Sequence, residues 1–101
     1  MHIQKDIGST SILGEENEEV YEVPDKFCFK MIEFTVKNLG MIPTNVEIYD
    51  GDIPGGILQI EIYLANGSSV QITDIMRHFY DNVTVASTAS KIEFSASGYL
   101  C

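Results

Sequence analysis

Cations are scarce in this sequence: six Lys and Arg stand against fifteen Asp and Glu in 101 residues, giving a formal net charge of −9 and a pI near 4.4. A surface that grips nucleic acid neutralises phosphates with clustered Lys and Arg, so nucleic acid is excluded as a partner. Histidine is limited to His2 and His78, and neither sits in a motif. A catalytic nucleophile needs a base and an orienting carboxylate beside it, so no catalytic residue and no enzymatic activity are expected. The two cysteines, Cys28 and Cys101, have no Cys-x-x-Cys spacing, which excludes a zinc knuckle and a dithiol redox motif. The expected state is a buried thiol at Cys28 and a loose terminal thiol at Cys101, with an intramolecular disulfide as the alternative. No apolar run approaches the roughly 20 residues of a membrane span, and Met1-His2-Ile3-Gln4-Lys5-Asp6 lacks the charged flank and apolar stretch of a signal peptide. A soluble, unprocessed chain with no membrane partner is expected. Gly55-Gly56 is followed by neither Lys-Ser nor a helical pattern, so it reads as a turn rather than a phosphate cradle, and no cofactor is expected.

What the chain does have is alternation. With 45% hydrophobic and 21% charged residues it is ordinary globular material, long enough to fold around one core without obligatory staples. From Phe27 onward apolar residues recur with period two, broken every ten or so residues by Gly, Pro, Asn or Asp. That pattern predicts an all-β fold, an antiparallel β-sandwich or jelly-roll-like domain of about seven or eight strands. Phe27, Phe29 and Met31 share one phase while Phe34 and Val36 hold the other, so either both faces are covered or a β-bulge lies near Met31. The predicted core is Phe34, Val36, Ile48, Leu58, Ile60, Ile62, Val70, Ile72, Val83, Val85, Ile92 and Phe94, and Phe27 and Phe29 also fit core positions. A three-residue Ala65-Asn66-Gly67 loop, with Gly67 left-handed, would pair Val70 with Ile62 and Ile72 with Ile60 in a hairpin. Residues 73–80 are the one stretch compatible with a helical turn, capped by Asp74.

Residues 1–24 are expected to form an N-terminal arm or edge strands with an acidic loop around Glu15, Glu16, Glu18 and Glu19, and residues 25–101 the sandwich. Ile3, Ile7, Ile12 and Leu13 lack strict alternation yet are too apolar for a solvated tail, so they are expected at a subunit interface. An edge strand of the chain's own sandwich is the alternative. Outward Tyr49 and Tyr63 are further interface candidates or a sugar-stacking platform. Asp50 and Asp52, with Asp74 or Asp81, read as an ordinary acidic turn, calcium being the alternative; no metal site is assigned.

The order of a strand ending in Lys37-Asn38-Leu39-Gly40, a short partner over 45–49, then 58–64 with Ala65-Asn66-Gly67-Ser68-Ser69-Val70, Asp81-Asn82-Val83-Thr84-Val85-Ala86-Ser87 and Ile92-Glu93-Phe94-Ser95-Ala96-Ser97-Gly98-Tyr99 resembles small β-sandwich accessory proteins of tailed-bacteriophage virions. The resemblance implies a non-enzymatic structural protein of the virion. Its implied partners are other copies of itself and capsid, neck or tail proteins. The alternative from another class is an extracellular carbohydrate-binding or adhesion module.

Overall fold

The structure, a computed structural model, describes residues 3–101; His2 lies outside the described residues. Among the described residues nine strands follow one another: β1 (Ile3–Ile12), β2 (Glu16–Glu22), β3 (Phe29–Asn38), β4 (Thr44–Asp50), β5 (Ile57–Leu64), β6 (Ser69–Ile72), β7 (Arg77–Phe79), β8 (Asn82–Ser87) and β9 (Ile92–Leu100). They build two antiparallel sheets packed face to face, a β-sandwich. One has the order β1-β9-β3-β6, with β7 also pairing β3; the other is β2-β8-β4-β5. Between them lies one apolar core, including Phe29, Phe34, Phe79, Phe94, Ile48, Ile92, Val83 and Val85, all fully buried. Phe34 and Phe94 stack at 5.9 Å between ring centroids.

The two phases read in β3 have one cause. The β3–β9 register shifts between Met31 and Glu33, so Ile32 is the extra residue of a bulge. Phe29 and Met31 face the core before it; Phe34 and Val36 do so after it. Opposite Met31 stands Gly98, where a Cβ would lie 2.0 Å from the Lys30 carbonyl oxygen, a backbone atom with no freedom to swing away. Gly98→Ala is therefore expected to destabilise the protein by about 2–3 kcal/mol through forced separation of β3 and β9. Urea unfolding reads this directly, and an unchanged midpoint would show that the ladder relaxes freely there.

Several expectations are corrected. Residues 3–22 are not a detached arm: β1 pairs β9 from Ile3↔Leu100 to Ile12↔Ile92, and β2 pairs β8. Ile7 and Ile12 enter the chain's own core, because β1 is the edge strand that closes the first sheet on that side. The acidic run is strand rather than loop, since Glu15 takes the turn at φ 64° and β2 begins at Glu16. No helical turn forms over 73–80. Asp74 and Met76 have φ of 59° and 51°, which a right-handed helix cannot accommodate, and β7 follows.

The expected β5–β6 hairpin is absent as well. Gly67 is left-handed at φ 73° and Ser68 N–H donates to the Ala65 carbonyl, yet the chain then crosses to the other sheet, where Val70 pairs Val36 and Ile72 pairs Phe34. Leu58 is exposed instead of buried: the β4–β5 register shifts between Ile48 and Tyr49, and the unpaired Gln59 puts Leu58 beside outward-facing Tyr49. Ile60, Ile62, Val70 and Ile72 are half-buried because they line the sandwich's open side. Phe27 is exposed, held in a turn in which its N–H donates to the Pro24 carbonyl before the ladder starts.

A buried polar cluster closes one end of the sandwich. The Asn38 amide nitrogen lies 2.8, 3.3 and 3.3 Å from the carbonyl oxygens of Ile42, Leu64 and Ala65, and its Oδ1 accepts from Gly40 N–H and Ser90 Oγ. Thr44 Oγ1 accepts from Ala89 and Ser90 N–H and bonds Ser87 Oγ at 2.8 Å; Ser87 Oγ donates to the Ser90 carbonyl.

Candidate assembly interface

Two sheets mean four free edges. On one side stand β1 and β2, on the other β5 and the short β6 with β7. An unpaired edge presents a row of N–H and C=O groups to any passing strand, and charge is the usual guard. β2 is guarded by Glu16, Glu18, Glu19 and Glu22 in seven residues. β5 is not: Ile-Leu-Gln-Ile-Glu-Ile-Tyr-Leu carries one charge in eight residues. Its Ile57, Leu58 and Tyr63 are 66%, 47% and 67% exposed, far more than large apolar side chains need to be. Beside β5 runs an apolar groove floored by Phe34 and walled by Ile60, Ile62, Ile72 and Ile75, with Arg77 at its rim. β5 and β6 belong to different sheets, and among the described residues no strand pairs with both.

The sequence-derived interface residues separate on this frame. Ile7 and Ile12 are core. Ile3 and Leu13, 46% and 60% exposed, remain on the surface at the β1–β2 side. Tyr49 and Tyr63 share the outer face of the second sheet without forming a platform. Tyr63 pairs Asn45, four residues along β4 from Tyr49, a separation of about 13 Å at strand rise. Glu47 and Glu61 face each other between them. The Tyr49 hydroxyl donates to Glu47 Oε1 at 3.2 Å, and partial burial followed by the nearby Glu47 and Glu61 charges raises its pKa above the usual tyrosine value.

The acidic turn turns out to be internally engaged. Asp50 accepts from Tyr80 and Asp81 backbone N–H groups at 3.0–3.1 Å, capping the β7–β8 turn. Buried Asn82 gives its two amide protons to Glu19 Oε1 and Asp52 Oδ1, at 2.7 and 2.8 Å, while its Oδ1 accepts from Thr84. These contacts account for Asp50 and Asp52 as structural groups joining β2, β8 and the 51–56 loop.

The cysteines correct the sequence reading most sharply. Cys28 and Cys101 are joined in a disulfide with Cα atoms 5.3 Å apart and 73 residues between them in sequence. They stand directly opposite at the end of the β3–β9 ladder and exchange both backbone hydrogen bonds, at 2.9 and 3.0 Å. A hydrogen-bonded antiparallel pair at this separation lies within disulfide reach. On the other side of β3, His78 pairs Lys30 and stacks on Tyr80 at 6.3 Å between centroids. The bridge is the alternative the sequence left open in place of two free thiols; that His78 stands beside it was missed, since only strand adjacency brings them together.

No protein-family model matches the chain, and no curated protein matches it in sequence. Solved structures do share its fold. One is the protein of the Bacillus endospore appendages, a family of disulfide-linked pili, with a TM-score of 0.64, 21% identity, and coverage of 97% of this chain and 86% of that one. The crystal structure of PirA superposes with a TM-score of 0.60 at 13% identity, covering 94% of this chain and 92% of that one. At such identities the likeness establishes the sandwich architecture across nearly the whole chain.

Proposed function

We propose that the protein is a non-enzymatic structural subunit that associates with copies of itself, through the β5 edge and the groove beside it, into an extracellular appendage. The observation that carries this reading is the apolar β5 edge, with Glu61 its one charge, over an open slot: a strand from a second copy would complete its ladder and cover Ile57, Leu58 and the groove isoleucines at once. The disulfide supports an oxidising, extracellular setting, where such bridges persist. The shared fold of a pilus protein supports an appendage. A phage capsid, neck or tail surface, the finer assembly expected from the turn pattern, rests on that pattern alone, and we place the appendage ahead of it. Exposed Ile3 and Leu13, at the two ends of β1, leave separate apolar contact points on the opposite side of the sandwich, and a chain of subunits requires a second contact surface. No feature of Tyr49 and Tyr63 favours the carbohydrate reading.

The test is assembly itself. Oxidised protein concentrated to the millimolar range and followed by light scattering and negative-stain microscopy is expected to form oligomers or filaments. Ile57→Lys with Leu58→Lys, which charges the exposed edge without touching the core, is expected to leave monomers with an unchanged far-UV spectrum. A wild-type chain that stays monomeric, or a doubly charged variant that still assembles, would refute the β5 edge as the joint.

A further inference from the structure

The ligand atoms of Cys28, His78 and Cys101 lie within 4.8 Å of one another, the one group of three potential metal ligands found close together among the described residues. The parity of the strands explains why. Phe29 and Met31 face the core, so Cys28 and Lys30 face out; Cys101 stands opposite Cys28 on one flank of β3 and His78 opposite Lys30 on the other. All three ligands therefore share the outer face at one end of the first sheet, with Cys28 half-buried and the other two exposed. β7 reaches that position through the two left-handed residues Asp74 and Met76 and is only three residues long.

We propose that this cluster is a redox-gated site for a thiophilic divalent cation of the zinc class: closed while the disulfide is intact, open when it is reduced. A dithiol reductant passes two electrons and two protons to the Cys28–Cys101 bond and leaves as its own cyclic disulfide, giving two thiols. Zinc then displaces both thiol protons, taking two sulfurs and one neutral imidazole nitrogen, with water as the fourth ligand. Tetrahedral geometry asks the ligand atoms to sit about 3.6–3.8 Å apart. The imidazole must close in by about an ångström at most and the freed sulfurs must part, movements that exposed side chains at a ladder end can make. Two thiolates neutralise the cation, and Lys30 on the same face opposes any further positive charge. Crosslink and metal use the same sulfurs, so they exclude each other.

Protein reduced with a phosphine, desalted without oxygen and titrated with Co2+ and then Zn2+ reads the site directly. One equivalent of Co2+ is expected to bind with a thiolate charge-transfer band and to be displaced by Zn2+, while oxidised protein binds none. His78→Ala, which leaves the disulfide and the core untouched, is expected to weaken binding by about tenfold or more once reduced. Zinc is also expected to slow reoxidation of the wild type and to raise its melting temperature in the reduced state. Reduced wild type that binds no more metal than Cys28→Ser, His78→Ala that binds as tightly as wild type, or reduced protein that zinc neither stabilises nor refolds would each overturn the proposal. None of these outcomes depends on assembly through β5.

Discussion

Reduction of the Cys28–Cys101 bridge is expected to lower the melting temperature by about 10–20 °C without abolishing the fold. The two cysteines enclose almost three-quarters of the chain, with 73 residues of sequence separation. A loop of that length has much conformational freedom for a crosslink to remove from the unfolded ensemble, about 4 kcal/mol on the chain-entropy account and about 2–4 kcal/mol as such bridges usually perform. Against a total stability of about 5–15 kcal/mol this is large, yet the core that holds Phe29, Phe34, Phe79 and Phe94 does not depend on it. Thermal unfolding followed by circular dichroism, with and without reductant, makes the comparison, and Cys28→Ser with Cys101→Ser provides it without reductant. Coincident curves would mean that the unfolded chain loses little freedom to the bridge. The bridge also clamps the ends of β3 and β9, whose pairing carries the first sheet.

Asn38→Leu is expected to cost about 3–5 kcal/mol although its shape hardly changes, because buried and part-buried groups lose their partner together. From the end of β3 in the first sheet, the amide serves carbonyls of the second sheet and its approaches: Ile42 in the turn leading to β4, and Leu64 with Ala65 where β5 gives way to the crossing. Its oxygen holds Gly40 N–H and Ser90 Oγ. A leucine removes the partner of all of them at a site where Asn38 itself is 3% exposed, and the Leu64 carbonyl and Ser90 hydroxyl are left unpaired away from water. Chemical denaturation should show the drop as a lower midpoint. The matched control is Asn17→Leu on the exposed β2 edge, expected to stay within about 0.5 kcal/mol. Equal effects at the two positions would mean that Asn38 is not the link between the sheets.

How much of this was legible follows from what alternation encodes. The strands from Phe29 onward except β7, the turn at Gly67 and the bulge near Met31 could be read from apolar phase and turn residues, since the two-residue period states which face of a strand is apolar. Phase is silent about neighbours. The hairpin expected between 58–64 and 70–72 assumed that strands adjacent in sequence pair; here they face each other across the open side of the sandwich. Leu58 kept the right phase in sequence and lost it to a bulge that only the β4–β5 register shows. Ile7 and Ile12 looked unplaced because the β1–β9 register shifts between Ile7 and Thr10 and breaks strict alternation.

By itself, then, the sequence determined an all-β chain with acidic faces, no cationic footprint for nucleic acid, and no histidine-centred catalytic motif, because these depend on composition and local period alone. Tertiary structure alone decided that Cys28 meets Cys101 with His78 beside them, that Asn38 joins the two sheets, and that the apolar β5 edge faces an open groove. The physical reason is shared by all three. Each depends on which strands lie side by side, and that choice is made by the packing of two whole sheets around one core, through contacts between residues far apart in the chain.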